Sequence, residues 1–217
     1  MPKISEAQRE TRRQQILDAA LRCFSRDGFH NTTTADIVRE SGVSQGTLYL
    51  YFATKDEMIA ALAEDRHQNE AFVNALALRE HDPIKGLLSL IELHGSTLTD
   101  PARLDGRRVG VQGWAEALRN PDIHNSVVGG VALVRAAIIR LVERGQHTGQ
   151  IRPEIDPAAV ARTLIALFQG LVLHIAWGEE VDLHGCGQII HDMIGALLTP
   201  EGLASYTQDS THGSSSK

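Results

Sequence analysis

Apolar residues along this chain recur every three or four positions with few interruptions, the spacing of a single helix face. Between Arg9 and Arg26 the row is Ile16, Ala19, Ala20, Cys23 and Phe24. Asp27-Gly28 closes it, because glycine takes a left-handed helix stop with least strain. A second helix opens at Thr33, whose spacing to Asp36 suits a capping box. It turns Ile37 and Val38 inward and stops at Gly42. Val43 and Ser44 lead into a third short helix, Gln45 to about Tyr51, with Ser44 as its cap. Ala53-Thr54 breaks the pattern again. Thr54 then heads a longer helix with Asp56 and Glu57 in its positive first turn and Ile59, Leu62, Phe72, Val73 and Leu76 as its apolar row.

Helical rows continue after His81-Asp82-Pro83. The first is Leu87, Leu90, Ile91 and Leu98; the next is Val111, Trp114 and Leu118, ending at Asn120-Pro121. A third, from about Ile123 to Arg144, holds Val127, Val131, Val134, Ile138 and Leu141. The stretch from Gly145 to Asp156 is a polar loop, and Pro157 opens a helix with Val160, Leu164, Leu167, Phe168, Leu171, Val172 and Ile175. The last row, Ile189, Ile190, Met193, Ile194, Leu197 and Leu198, stops at Pro200. Strand-like alternation is absent, and so is any repeat. The expected fold is all-α, with three helices over residues 1–60 and a larger set of helices over 61–200. A polar tail follows at 201–217, Ser-rich and without fixed structure from Tyr206 onward.

Composition narrows the class. The chain is 42% hydrophobic and 22% charged, ordinary for a globular protein. It has no run of eighteen apolar residues and no apolar secretory core behind Met1-Pro2-Lys3, so the expected location is the cytoplasm, with no segment in a membrane. Cys23 and Cys186, the only two cysteines, stand far apart in no metal spacing and read as buried, reduced thiols. The net charge is −6, which does not suggest nucleic acid. Its distribution softens this: residues 1–60 hold eight basic and eight acidic side chains, and the rest holds 13 basic against 19 acidic.

The case for DNA therefore rests on the two short helices Thr33–Ser41 and Gln45–Tyr51, separated by a tight glycine turn, which have the dimensions of a DNA-reading helix-turn-helix. Ile37, Val43, Leu48 and Phe52 can fix the pair. Gln45, Thr47, Tyr49 and Tyr51 then face outward, and Gly46 and the free amides of the helix start suit a phosphate. The stretch from Gly28 to Met58, GFHNTTTADIVRESGVSQGTLYLYFATKDEM, resembles the TetR family of transcription regulators: a glycine-aromatic helix end, a threonine cap, a Gly-Val-Ser turn, Gly-Thr-Leu-Tyr, then Phe and Lys. The likeness is strong over about residues 10–60 and implies a three-helix helix-turn-helix DNA-binding domain over 1–60, with its motif at about 32–51, followed by a helical effector-binding and dimerisation domain over 61–200.

The resemblance implies roles residue by residue. Thr33 would donate to a phosphate, and Ser44 would cap the recognition helix and touch phosphate. Gln45, Gly46, Thr47 and Tyr49 would sit at the major groove, with Tyr51 and Lys55 on the flanking backbone. Gln45 is the candidate base reader, since its amide pairs bidentately with adenine. Two positions depart from the family pattern: residue 45 is often Lys or Arg, and residue 51 often His. Arg12 and Arg13 are either solvated surface or an arm toward the duplex.

The resemblance also implies a homodimer on a palindromic double-stranded operator and a small-molecule effector held by the C-terminal domain. His94, Trp114, Arg135, His174 and Trp177 fall on or beside apolar rows and are the candidate pocket residues; each is otherwise core or an internal pair. No cofactor or metal is implied. His184, Cys186 and His191 match no common zinc spacing, and no phosphate loop or nucleophile elbow points to an enzyme. The expected function is a ligand-responsive repressor. The open alternatives are a ligand-released activator, a corepressor-dependent repressor, and a helical adaptor that binds only proteins.

Overall fold

The computed structural model describes residues 5–204 and 206, with side chains at all of these except 66–70, 72 and 73. Phe72 and Val73 of the expected apolar row, and the tail beyond Tyr206, thus lie outside the described residues. Nine α-helices and no strand occur among the described residues: α1 (Glu6–Asp27), α2 (Thr34–Ser41), α3 (Gln45–Tyr51), α4 (Lys55–Arg79), α5 (Pro83–Thr99), α6 (Leu104–Glu116), α7 (Pro121–His147), α8 (Pro157–Ala176) and α9 (Leu183–Gly195). A 3-10 turn over Pro101–Arg103 precedes α6.

Local chemistry sets most helix ends. Ser5 caps α1, with Gln8 closing a reciprocal box. Asp82-Pro83 and Asp156-Pro157 start α5 and α8 by one device, a carboxylate accepting the free amides and a proline that has no N–H to leave unpaired. Asn120 caps α7 in the same way through the amides of Asp122 and Ile123. α6 ends at Glu116, so Leu118 leaves its expected row and is 86% exposed in the following turn.

The chain divides into two compact units. One runs to Gln68 and resumes over Ala102–Gly130; the other takes Asn69–Pro101 and everything from Val131. The N-terminal core contains Ile16, Leu17, Phe24, Ile37, Leu48 and Met58, and also Val109, Ala117 and Ile123, so this unit extends beyond the expected limit at residue 60. The reason lies in α1. Ile16, Leu17, Ala19, Ala20, Cys23 and Phe24 are all fully buried, more than one helix face. α1 meets α2 on one side and α6 on another.

The second unit packs Ala77, Leu87, Leu90, Ile138, Leu141, Ile151 and Ile194 together. Its loop is tied down where Ile151 bridges Leu198 and Gln146 Nε2 donates to the Ile155 carbonyl at 2.7 Å. Residues 200–204 form a further helical turn, and Tyr206 packs on the core with its hydroxyl 2.7 Å from His191 Nδ1. The fixed structure thus reaches past the expected start of the tail at residue 201. Cys23 is buried, but Cys186 is only half-buried.

α8 stands out. It is apolar enough by length and composition to cross a bilayer, as is α7, with mean hydropathy 1.7 and 1.6 over their richest windows. In α7 the apolar row enters the core at Ala137, Ile138, Leu141 and Val142. In α8 only Val160, Ala161 and Val172 are buried within the chain. Leu167 and Trp177, with Ile189 and Met193 of α9, remain exposed.

Candidate nucleic-acid interface

α2 and α3 owe their angle to one residue. Gly42 has φ 68°, a left-handed conformation that carries the chain from one helix into the next with no Cβ strain. Val43, Leu48 and Phe52 then pin α3 inside. Two side chains from α1 fix α2 from below: Gln15 Nε2 donates to the Ser41 carbonyl at 2.6 Å, and Arg22 pairs with Glu40 at 2.8 Å.

The N-terminal corner of α2 is fully wired. The Thr33 hydroxyl donates to Asp36 Oδ2 at 2.6 Å, the Thr33 amide donates to the same oxygen at 2.9 Å, and the Asp36 amide donates back to the Thr33 hydroxyl at 3.2 Å. Arg39 binds the other carboxylate oxygen at 2.6 Å. The Thr33 hydroxyl, its amide and Arg39 together hold the Asp36 carboxyl at about 2, below the usual 3.8. In the free protein the Thr33 proton is thus directed at Asp36, and the expected phosphate contact requires the hydroxyl to turn.

Ser44 caps α3 as expected, accepting from the Thr47 amide at 3.1 Å, and its hydroxyl pairs with that of Thr47 at 2.8 Å. Gln45 and Gly46 are exposed at the helix start. The Tyr49 ring is 47% exposed, with its hydroxyl 3.4 Å from that of Thr34 at the head of α2. Tyr51 is half-buried against the N-terminal core. Lys55 is held from within the unit. Its Nζ donates to the carbonyls of Phe29 at 2.8 Å and Thr32 at 2.7 Å, lies 3.4 Å from that of His30, and stands 4.9 Å over the Phe29 ring. What Lys55 offers a nearby phosphate is its charge, while its protons hold the α1–α2 loop. Arg13 is likewise an internal tie, bound to Glu10 at 3.1 Å and Asp65 at 3.3 Å.

Sequence reasoning missed two features of this face. Leu50 is 79% exposed in the middle of α3. Gln112 of α6 donates to the Phe24 carbonyl at 3.0 Å and accepts from the Phe29 amide at 2.8 Å, gripping both sides of the stop at Gly28. Nothing local in the sequence signals this second contact, since it joins residues more than eighty apart.

The five candidate pocket residues divide between the two units. Trp114 belongs to the N-terminal unit. In the other unit the His94 ring meets the edge of Phe168, with centroids 5.7 Å apart, and Arg135 is half-buried on α7. His174 and Trp177 form an exposed pair at the end of α8, where His174 Nδ1 meets Glu179 at 2.7 Å. The polar group sequence reasoning overlooked is Asn74 of α4. It is 4% exposed, and among the described residues neither its amide oxygen nor its nitrogen has a hydrogen-bond partner. Its position three residues before Ala77, on the core-facing side, was the available signal. His184 and His191 are engaged elsewhere, with Gln188 at 3.0 Å and Tyr206 at 2.7 Å.

This arrangement is similar to that of known regulators. A family model described as bacterial regulatory proteins, tetR family, matches residues 16–62, and one described as BetI-type transcriptional repressor, C-terminal, matches residues 94–199. The HTH-type transcriptional repressor Rv1474c of Mycobacterium tuberculosis is 31% identical over 181 residues, covering 83% of this chain and 90% of that protein. The HTH-type transcriptional regulator UidR of Escherichia coli K12 is 28% identical over 188 residues, covering 86% and 93%. Among solved structures, a SmeT–triclosan complex superposes with TM-score 0.77 at 26% identity, covering 89% of this chain and 94% of that one.

Proposed function

Because the chain belongs to the TetR family of transcription regulators, we propose that it is a dimeric repressor that leaves a palindromic operator when a small molecule occupies its second unit. It is a sequence-specific DNA-binding regulator with a helix-turn-helix, and its relatives are regulators, not enzymes. The observation that carries the fuller reading is α3: capped by Ser44, pinned by Leu48, and bare along its outer face at Gln45, Gly46, Tyr49 and Leu50. Such a helix fits the major groove, and its free amides at Gln45 and Gly46 favour a phosphate.

The dimer reading draws on α8 and α9. Their exposed Leu167, Trp177, Ile189 and Met193 are apolar surface that a second copy would cover. Two recognition helices would then stand roughly 34 Å apart, one DNA turn. Gln45 reads a base, Thr47 and Tyr49 flank it, and Thr33, Ser44, Tyr51 and the charge of Lys55 meet the backbone. Repression is favoured by the match of residues 94–199 to a repressor domain. The working place is the cytoplasm, at the DNA.

The effector half has one strong pointer. A buried amide without partners is unfavourable by about 1–3 kcal/mol, and a ligand with a hydrogen-bonding group removes that penalty. We assign Asn74 this anchoring role, with His94 and Arg135 in the same unit as secondary candidates. SmeT, the structural neighbour, was solved with triclosan, which supports a small-molecule effector here without naming it. Effector binding would lower operator affinity through a coupling of about 1–3 kcal/mol.

The test is selection of sites from random duplex DNA by the purified protein at physiological salt, with Gln45→Ala alongside. The expected result is a palindrome whose specificity changes at one position per half-site in the variant. Only weak, salt-sensitive binding, with no enriched sequence, would bring the protein-adaptor reading forward.

A further inference from the structure

The outer ridge of α3 carries an apolar reader. At about 100° per residue, Gly46 and Leu50 each lie about 160° from Leu48, the side chain that anchors the helix inside. These two residues, one turn apart, form the line furthest from the protein core. Gln45 and Tyr49 flank that line on one side, and Thr47 flanks it on the other.

Gly46 has no internal reason to be glycine. Its φ lies outside the left-handed region, and a Cβ built there would meet nothing within 4 Å. Glycine inside a helix nonetheless weakens it relative to alanine. What a missing side chain achieves at such a place is close approach of something from outside. Leu50, next along the same ridge, is 79% exposed although Ser44, Thr47, Tyr49 and Tyr51 around it are all hydrogen-bonding residues. The ridge furthest from the core thus has no side chain in its first turn and a purely apolar one in its second.

We propose that Leu50 reads a thymine through its 5-methyl group. Resting on the DNA-binding reading above, this adds the base chemistry that one residue recognises. The major groove presents hydrogen-bonding edges at every base pair, and the thymine methyl is its one apolar landmark. Leucine cannot pair with any of the polar edges, and it desolvates them when it docks against G·C. It therefore selects T·A and rejects G·C, while Gln45 hydrogen-bonds one turn earlier. The operator half-site carries an obligatory thymine on the side of the Gln45 contact that faces the helix C-terminus.

The test uses the full chain and the duplex recovered by site selection. Each thymine of both half-sites is replaced in turn by uracil, which differs only in lacking the methyl. Binding is followed by fluorescence anisotropy for the wild type and Leu50→Ala. At an exposed position the alanine leaves the core untouched, so the variant folds. One thymine per half-site is expected to lose about fourfold in affinity on conversion to uracil, the worth of one buried methyl-sized group. Leu50→Ala is expected to bind thymine and uracil duplexes alike. A selected palindrome with no uracil-sensitive thymine overturns the proposal alone. Undiminished sensitivity in Leu50→Ala also overturns it, by assigning the methyl to another side chain. Failure of the wild type to select any site overturns the DNA-binding reading and this proposal with it.

Discussion

At the scale of single residues, function sits on polar groups whose protons are already committed. Asp36 is the clearest. Its carboxyl stays ionised down to about 2 because the Thr33 hydroxyl and amide, then Arg39, all bind the charged form. The folded value lies below the ordinary one. Its contribution to stability is therefore full above about pH 4 and is lost as pH falls toward 2. Thermal melts across that window are expected to show a flatter acid limb for Asp36→Asn than for the wild type. Equal slopes would mean that Asp36 does not feel its partners. Asn74 makes the opposite case, a buried amide with no partner among the described residues. Asn74→Leu, nearly the same size, is expected to raise the melting temperature, because the unpaired group costs about 1–3 kcal/mol. The same change is expected to blunt release from DNA by the natural inducer. A variant that gains no stability would show that the amide is satisfied in solution.

At the scale of elements, what the sequence makes legible follows from range. Caps such as Thr33, Ser44, Asp82 and Asp156 lie within three residues of the amides they serve, so each was readable from spacing alone. The helix-turn-helix was readable for the same reason, since Gly42 and its neighbours set it locally. The internal partners of Lys55 were not legible because a sequence gives a charge and not the side it faces; three carbonyls of the α1–α2 loop lie around its Nζ. Leu50 went unnoticed because a single apolar residue leaves no break in helical periodicity. The pocket candidates divide between the units for a third reason: rows of apolar residues locate a helix face but not which unit that face joins, and Trp114 joined the first one.

The helix of α6 was legible but its place in the first unit was not, and that place carries a prediction. Gln112 holds the end of α1 and the start of the next loop with two hydrogen bonds, while Ser25 and Asp105 pair at 2.6 Å nearby. The helix-turn-helix therefore stands on α6 as well as on α1. Gln112→Leu is expected to destabilise the chain by about 1–2 kcal/mol in denaturant titration, the worth of two such bonds at a half-buried site. It is also expected to weaken operator binding while leaving Gln45 specificity intact. A variant with wild-type stability and affinity would reduce α6 to passive packing.

At the scale of the whole molecule, the two units differ in their surfaces. The first has a capped, rigid reading helix on a core built from α1, α2, α3 and α6. The second has two helices too apolar for the exposure they have in one chain. In the proposed dimer a second copy would resolve that mismatch and double the reading helix, so affinity and specificity would come from the pair. The net charge of −6 does not count against DNA, because the excess acid lies beyond residue 60 and residues 1–60 are balanced.

The most direct test of this picture changes the DNA and leaves the protein alone. Five base pairs, roughly half a helical turn, are inserted between the half-sites of the selected palindrome, and affinity is measured by anisotropy at fixed salt. A dimer with two fixed reading helices loses one of its two contacts, and affinity is expected to fall to that of a duplex carrying a single half-site. Affinity unchanged by the insertion would contradict the account, because each chain would then be reading DNA on its own.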